Sequence, residues 1–441
     1  MIEGLKPYAE YKESGLPWLG SVPTHWDVRR TKLLLREVDS RSSTGKEQLL
    51  RVSQYTGVTQ RKASNGSDAP DTRAASLVGY KRVSANDLVI NIMLAWNGSL
   101  GASRYDGIAS PAYCVYRFRQ GALPWYYHEL FRLPLYKGRI KTASTGVVES
   151  RLRLYSDDLG RIEALLPPLD EQSAIVRFLD HANRKIDGFI RAKRKLIGLL
   201  NEQKQAIIHR AVTRGLDPDV PLKDSGIPWL GEIPAHWEMQ RLKHLASFQS
   251  GDGITSLQIE PQGDYPVYGG NGLRGYSNRY THDGHFALIG RQGALCGNIN
   301  YAKGRFFASE HAVVTTLRPG YSVVWFGEML KVMNLNQYSQ SAAQPGLAVE
   351  RIKNLAAPVP PATEQPKLVA AFQEQTAPLN TAIARTNREI ALMQEYRTRL
   401  TADIVTGKLD VRGASRHLPD EPIEAEPVTD TEDSEDAGTD F

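Results

Sequence analysis

Cysteine is nearly missing from this chain. Cys114 and Cys296 are the only two in 441 residues, which excludes a disulfide scaffold and a cysteine-rich zinc site. No apolar run approaches the length of a membrane span. The opening Met1-Ile2-Glu3-Gly4-Leu5-Lys6-Pro7 has no charged start followed by an apolar stretch, so a cytoplasmic location is expected. Catalytic signatures are missing too. There is no G-x-x-x-x-G-K-[ST] phosphate loop, so ATP-driven work is not encoded. Pro167-Pro168 and Pro360-Pro361 follow Leu and Val, where an adenine-N6 methyltransferase needs Asn or Asp before the prolines and an aromatic after them. No Pro-Asp with a downstream Glu-x-Lys in strand context marks a nuclease. His282, Asp283 and His285 are neighbours, but nothing completes a metal site. The chain reads as a binder that needs no cofactor.

One motif invites a nucleotide and does not support it. Gly270-Asn271-Gly272-Leu273-Arg274-Gly275 is a literal G-x-G-x-x-G after the strand-like Tyr265-Pro266-Val267-Tyr268. A dinucleotide site needs a helix next, so that the phosphate meets its N-terminus. Tyr276-Ser277-Asn278-Arg279-Tyr280 has no helical periodicity, and a glycine-rich loop presenting Asn271 and Arg274 is expected instead.

What is present is repetition, and repeats govern the fold. Ser14-Gly15-Leu16-Pro17-Trp18-Leu19-Gly20 and then Pro23-x-His25-Trp26 return 211 positions later as Ser225-Gly226-Ile227-Pro228-Trp229-Leu230-Gly231 and Pro234-x-His236-Trp237. Pro167-Pro168-Leu169-Asp170-Glu171-Gln172 returns 193 positions later as Pro360-Pro361-Ala362-Thr363-Glu364-Gln365. Each copy of the second motif runs into a long helical pattern. Those patterns close on Val212-Thr213-Arg214-Gly215-Leu216-Asp217 and Val405-Thr406-Gly407-Lys408-Leu409-Asp410. Four of the seven tryptophans lie in the first motif, which reads as a structural brace, His25 and His236 included.

In the first helical pattern Ile175, Leu179, Ala182, Ile186, Phe189, Leu196, Leu200 and Ile207 keep a heptad seam. In the second, Leu368, Phe372, Leu379, Ala382, Met393, Leu400 and Ile404 fall at the same phase. Gln375, Thr386, Glu389 and Tyr396 weaken it. A helix of about 40 residues, about 60 Å long, with one apolar stripe needs a partner, and its own copy, antiparallel, is the simplest. Between the repeats lie two Gly-rich parts with more strand than helix. Leu88–Met93, Tyr113–Phe118, His285–Ile289 and Ala312–Leu317 are rich in β-branched and aromatic residues. The expected fold is α+β: two α/β domains joined by two long helices in an antiparallel coiled coil, with an internal pseudo-two-fold repeat. Boundaries fall at 1–166 and 218–359 for the domains, 167–217 and 360–412 for the helical spacers, and 413–441 for an acidic, disordered tail.

The net charge of +5 hides an asymmetry. Ten of the 49 acidic residues lie between Asp420 and Asp440, which leaves 54 basic against 39 acidic in the remainder, an excess of fifteen. A body that basic suits a polyanion such as nucleic acid, although a generic soluble surface is compatible with it.

With its order of globular part, Pro-Pro-x-x-Glu-Gln helix, globular part and Pro-Pro-x-x-Glu-Gln helix, the chain resembles the specificity subunit of type I restriction–modification systems up to about Arg412. Gly107–Tyr113, Tyr265–Gly272 and Arg291–Ala294 resemble segments of that family's target recognition domains. The resemblance implies a non-catalytic reader of double-stranded DNA, each domain contacting one half of a bipartite target. It also implies two methyltransferase subunits and ATP-dependent translocating nuclease subunits as partners. Major-groove chemistry pairs Arg with guanine and Asn or Gln with adenine, while Lys, Ser and Thr hold phosphates. Candidate DNA contacts in the first domain are Gln60, Arg61, Lys62 and Asn65, then Trp96, Asn97 and Arg104, then Ser144, Thr145 and Arg151. In the second they are Asn271, Arg274, Tyr276 and Arg279, then Arg291 and Gln292, then Gln340, Ser341, Gln344 and Arg351. A non-DNA coiled-coil adaptor with two ligand-binding domains would explain the architecture but not the basic body. A fused methyltransferase–nuclease would need a longer chain and the missing motifs.

If the helices set the half-site separation, inserting four residues, about 5.4 Å of helix, into both in register should lengthen the preferred spacer by about one to two base pairs at about 3.4 Å each. Sequencing the methylated sites of such a variant measures this, and an unchanged motif would end the ruler idea.

Overall fold

The computed structural model describes residues 5–61, 74, 76–293, 295–339 and 346–419. The chain divides into two compact units, one taking residues up to Arg191 and again from Ile390, the other Ala192–Glu389. Both are mixtures of sheet and helix, so the architecture is α+β.

In unit 1 a four-stranded antiparallel sheet runs in the order Leu35–Glu37, Tyr113–Phe118, Leu88–Asn91, Leu100–Ala102. Side chains alternate across its faces. Leu88 and Ile90 join the main core with Tyr126, Tyr127, Leu130 and Phe131 of helix Pro124–Arg132. Val89 and Val115 point the other way, onto Leu50, Val52 and Val58 of the hairpin Leu50–Ser53/Gly57–Gln60. Sequestered on both sides, the strand carries the continuous apolar run Leu88-Val89-Ile90 rather than an alternating one. Unit 2 builds a different sheet: six strands in the order Ala246–Ser250, Ala312–Leu317, His282–Gly290, Ile299–Ala308, Tyr265–Gly269, Gly272–Ser277. Ala287, Ile289 and Val313 face helix Val323–Val332, while Leu288 and Val314 face Phe306. The literal G-x-G-x-x-G ends in the strand Gly272–Ser277 and opens no helix.

Beneath these unlike sheets lies one frame, built twice. The strand leading to each Pro-Pro pairs with the strand following each His-Trp: Glu163–Leu166 with Asp27–Arg30, and Ala356–Val359 with Glu238–Arg241. This pairing sets the two repeated motifs side by side. Trp26 and Trp237 are fully buried. Trp26 donates its indole N–H to Glu171 Oε2 at 2.8 Å, and His25 Nε2 lies 2.6 Å from Oε1. Trp237 donates to both Glu364 oxygens at 3.2 and 3.3 Å, with His236 Nε2 2.9 Å from Oε2. The glutamines are buried beside them. Gln172 accepts from Leu123 N and donates to Gly121 O and Pro167 O, and Gln365 accepts from Ser322 N and donates to Pro360 O. Pro-x-His-Trp and Glu-Gln are therefore two halves of one latch.

The long helices are Leu169–Arg214 and Gln365–Val405, and each unit contains a piece of both. In unit 1, Asp187 pairs with Arg397, and Ile175, Phe178 and Leu179 share a core with Leu400 and Ile404. In unit 2, Lys193 Nζ meets Glu389 Oε2 at 2.7 Å, and Ile208, Ala211 and Val212 share a core with Leu368 and Phe372. In each, one helix's numbers rise as its partner's fall, so the pairs are antiparallel. The heptad seam holds from Ile175 to Ile186 and fails beyond, where at the far end Ile208 rather than Ile207 is the buried residue. In between, Leu196 is 40% exposed, and Ile190 rather than Phe189 is the buried residue. In the second helix the buried residue is Thr376, not Gln375. Thr386 does sit in the seam, its hydroxyl satisfied by Ala382 O at 2.8 Å. Arg412–Arg416, at the expected start of the tail, is a short helix with Ser415 buried. No helix among the described residues is long and apolar enough to cross a membrane.

Two glycines end the long helices with left-handed backbone. Gly215 (φ +75°) has its nearest neighbour, the Trp237 ring, 3.5 Å from where a Cβ would stand. Gly407 (φ +79°) would place that carbon 2.5 Å from Pro23 and 2.9 Å from Trp26. Gly215→Ala should thus cost about 1–2 kcal/mol from conformation alone, and Gly407→Ala clearly more, as read from denaturant midpoints. A second prediction concerns His128 on helix Pro124–Arg132, which is half-buried and accepts from Ala102 N at 3.2 Å. Desolvation, then Arg132 and Arg104, pushes its pKa down to about 3. Between that value and the ordinary 6.5 the unfolded chain binds a proton that the folded chain does not, so this stability is present above pH 6.5 and lost as pH falls toward 3. His128→Gln should lose less melting temperature between pH 7 and pH 4.5 than the parent chain does.

Candidate nucleic-acid interface

The unit 2 candidates converge best. Tyr265–Gly269 and Gly272–Ser277 form a hairpin whose tip is only Gly270-Asn271. A bulge between Val267 and Tyr268 re-aims that end. The tip lies against the far end of strand His282–Gly290 so closely that a Cβ on Gly290 would stand 2.0 Å from Gly270 O. This contact brings the sequence-distant Tyr265–Gly272 and Arg291-Gln292 segments to one place. Asn271, Arg274, Gln292 and His311 line an open cavity there of about 490 Å³. Asn271 is held by its oxygen, which accepts from Asn298 Nδ2 at 2.8 Å. The Arg274 stem lies on the bare backbone of Gly269. Two amides and a guanidinium around one opening carry the donors and acceptors that base edges recognise.

The remaining unit 2 candidates are placed elsewhere or otherwise engaged. Arg291 turns back to donate to Ser250 Oγ at 3.0 Å. Tyr276 is half-buried, its main chain paired with Glu260. Exposed Arg279 lies over the Phe307 ring at 5.1 Å, and Arg351 over Tyr338 at 6.0 Å. Gln340, Ser341 and Gln344 lie outside the described residues.

In unit 1 the candidates are more scattered. Gln60 is exposed at the end of the strand Gly57–Gln60, with Arg61 half-buried after it. Lys62 and Asn65 lie outside the described residues. Trp96 packs against the core and donates its indole N–H to Met93 O at 3.1 Å, so it anchors its loop rather than offering a ring. Asn97 follows in the same short turn, Ala95–Asn97. Arg104 is exposed and stacks 4.2 Å from the Trp125 ring centre. The hydroxyl of Ser144 closes the end of helix Pro134–Ala143 on Ile140 O at 2.8 Å. Thr145 and Arg151 are exposed, flanking a loop tip where Val147 is 98% exposed.

Sequence reasoning missed His311 and Asn298. Their neighbours in sequence carry no motif; strand pairing brings His311 to the cavity wall and Asn298 to Asn271. Tyr55 is 53% exposed on the turn of the hairpin Leu50–Ser53/Gly57–Gln60. Among the described residues no group of three or more His, Cys, Asp or Glu could hold a metal ion.

Residues 234–392 match the type I restriction modification DNA specificity domain. The EcoprrI type I restriction enzyme specificity subunit of Escherichia coli is 48% identical over 151 residues, 33% of this chain and 37% of that one. The MjaVIII specificity subunit of Methanocaldococcus jannaschii is 27% identical over 202 residues, 42% of this chain and 45% of that one. The matches thus span less than half the length of these relatives. Among solved structures, a chain from work on complex assembly and conformational transition of the type I R-M system shares the fold. Its TM-score is 0.60 at 14% identity, covering 87% of this chain and 98% of that one. Residues 234–392 are accordingly similar to the type I restriction modification DNA specificity domain, and segments of the chain are similar to specificity subunits of type I restriction enzymes.

Proposed function

We propose that this chain is the sequence-reading subunit of a type I restriction–modification complex, each unit reading one half of a bipartite DNA target. The observation that carries the reading is the gathering of Asn271, Arg274 and Gln292 around one open cavity, inside the segment matched by the DNA specificity domain. Asn and Gln suit adenine and Arg suits guanine. Of the other candidates, Gln60, Arg61, Asn97, Arg104, Thr145, Arg151, Arg279 and Arg351 remain proposed contacts. Phosphate contacts would supply affinity and base contacts the choice of sequence.

The chain itself is proposed to catalyse nothing and to direct methyltransferase and nuclease partners. Leu196 and Leu199 stand 40% and 53% exposed on the first long helix, and Leu392 55% exposed on the second. Apolar residues at that spacing suit docking by partner helices.

Replacing 238–359 with the matching segment of a relative should change one half of the methylated motif and leave the other fixed. A swap that altered both halves would remove the modular reading. Arg274→Ala should cost about 1–3 kcal/mol of discrimination, seen only in the second half when binding to duplex variants is compared. Purified chain that methylated DNA with S-adenosylmethionine alone would overturn the non-catalytic assignment.

A further inference from the structure

Helix Pro124–Arg132 sets His128 and Arg132 four residues apart, on one face. That face meets two loops of unit 1, and Arg132 bonds to both. Its Nη1 donates to Leu100 O at 2.8 Å and Gly98 O at 3.1 Å, with Ser53 O at 3.4 Å. Its Nη2 donates to Tyr55 O at 2.7 Å and Gln54 O at 3.0 Å. Five main-chain carbonyls from two segments far apart in sequence thus converge on one guanidinium. His128 wedges beside it, its ring 3.0 Å from where a Cβ on Gly57 or Gly101 would stand.

The position is peculiar to unit 1. Leu123 N and Ser322 N donate to the equivalent glutamines, Gln172 and Gln365, so the two helices align with Arg132 opposite Lys331 and His128 opposite Gly327. Lys331 bonds Glu328 at 2.7 Å and lies over the Tyr301 ring. A Cβ on Gly327 would stand 2.3 Å from the Tyr301 hydroxyl oxygen. The carbonyl clamp therefore belongs to the part of the domain that differs between the copies, not to the repeated frame.

We infer that Arg132 is a positioning residue for recognition in unit 1: it ties the Ser53–Tyr55 turn to the Gly98–Leu100 segment, and so sets where Tyr55 and Asn97 stand for the first half of the DNA target. The inference rests on the proposed DNA-reading function. Base discrimination requires contact groups held within about 0.5 Å, whereas attraction to phosphate tolerates a loose loop. A guanidinium projects its donors in a fixed planar fork; a lysine offers three from one point and cannot span both loops.

The test compares full-length chain with Arg132→Lys, Arg132→Met and a Tyr55→Ala/Asn97→Ala double variant. Each is assayed by competition binding to a duplex library, beside binding to random duplex and thermal unfolding. Arg132→Lys should relax base preference in the first half-site by on the order of tenfold or more. Preference in the second half and random-duplex affinity should stay unchanged. The double variant, which leaves the clamp intact, should relax the same half. Retained first-half preference in folded Arg132→Lys and Arg132→Met overturns the inference. So does intact preference in the double variant, which decides the matter even where the Arg132 variants unfold. A parent chain without any sequence preference would instead refute the DNA-reading function.

Discussion

A carboxylate receiving an indole N–H, buried in one unit and half-buried in the other, holds each unit together. Glu171 is 2% exposed, and such a group is costly to bury without partners. Trp26, His25, Tyr8 and Arg412 all supply donors to it. Because the carboxylate opens a long helix and the indole lies in the brace before the sheet, the bond fixes where helix meets domain. Glutamine beside it repeats the logic with main-chain partners. Everything that varies between the units is hung on this constant joint.

The two joints are closed differently. In unit 2 the segment after the first helix continues by covalent chain through Gly215 into the brace at Trp229 and Trp237. In unit 1 the brace near the start of the chain meets the segment after the second helix without a covalent link. Lys6 bridges to Asp410, and Tyr11 donates to Lys408 O at 3.1 Å. Arg412 reaches Asp410 and Glu171 while its guanidinium lies 5.1 Å from the Tyr8 ring centre. Burial, then the charges of Glu171 and Asp410, raises the Tyr8 pKa well above its ordinary range, so its hydroxyl remains a donor. Among the described residues Glu364 has no counterpart to Tyr8 or Arg412, and its side chain is more exposed, at 26% against 3% for Glu171. Non-covalent closure thus comes with the more heavily bonded joint.

On this frame the units carry unlike sheets, four antiparallel strands against six with one parallel pair. Their surfaces differ accordingly. Unit 2 folds its hairpin tip onto a neighbouring strand and encloses amides and a guanidinium. Unit 1 spends its key arginine on holding main chain. Two unlike sheets on a repeated frame fit the proposed reading of a target with two unlike halves.

The repeats were legible in sequence because frame contacts need particular residue types: an indole donor, a buried carboxylate, a primary amide, a left-handed glycine. Strands such as Tyr113–Phe118 and Ala312–Leu317 were legible because sequestered β-branched runs have few alternatives. The partnership of His-Trp with Glu-Gln was not, since 145 residues separate Trp26 from Glu171 and neither motif names its acceptor. The site divides in the same way. Asn271, Arg274 and Gln292 announce themselves as polar residues among glycines, but His311 and Asn298 join them only through strand pairing. Nothing in the sequence around Arg132 sets it apart. Only the tertiary structure, by bringing two loops under one helix face, made it the common partner of five carbonyls, because hydrogen bonds to main chain carry no signature in the side chains that flank them.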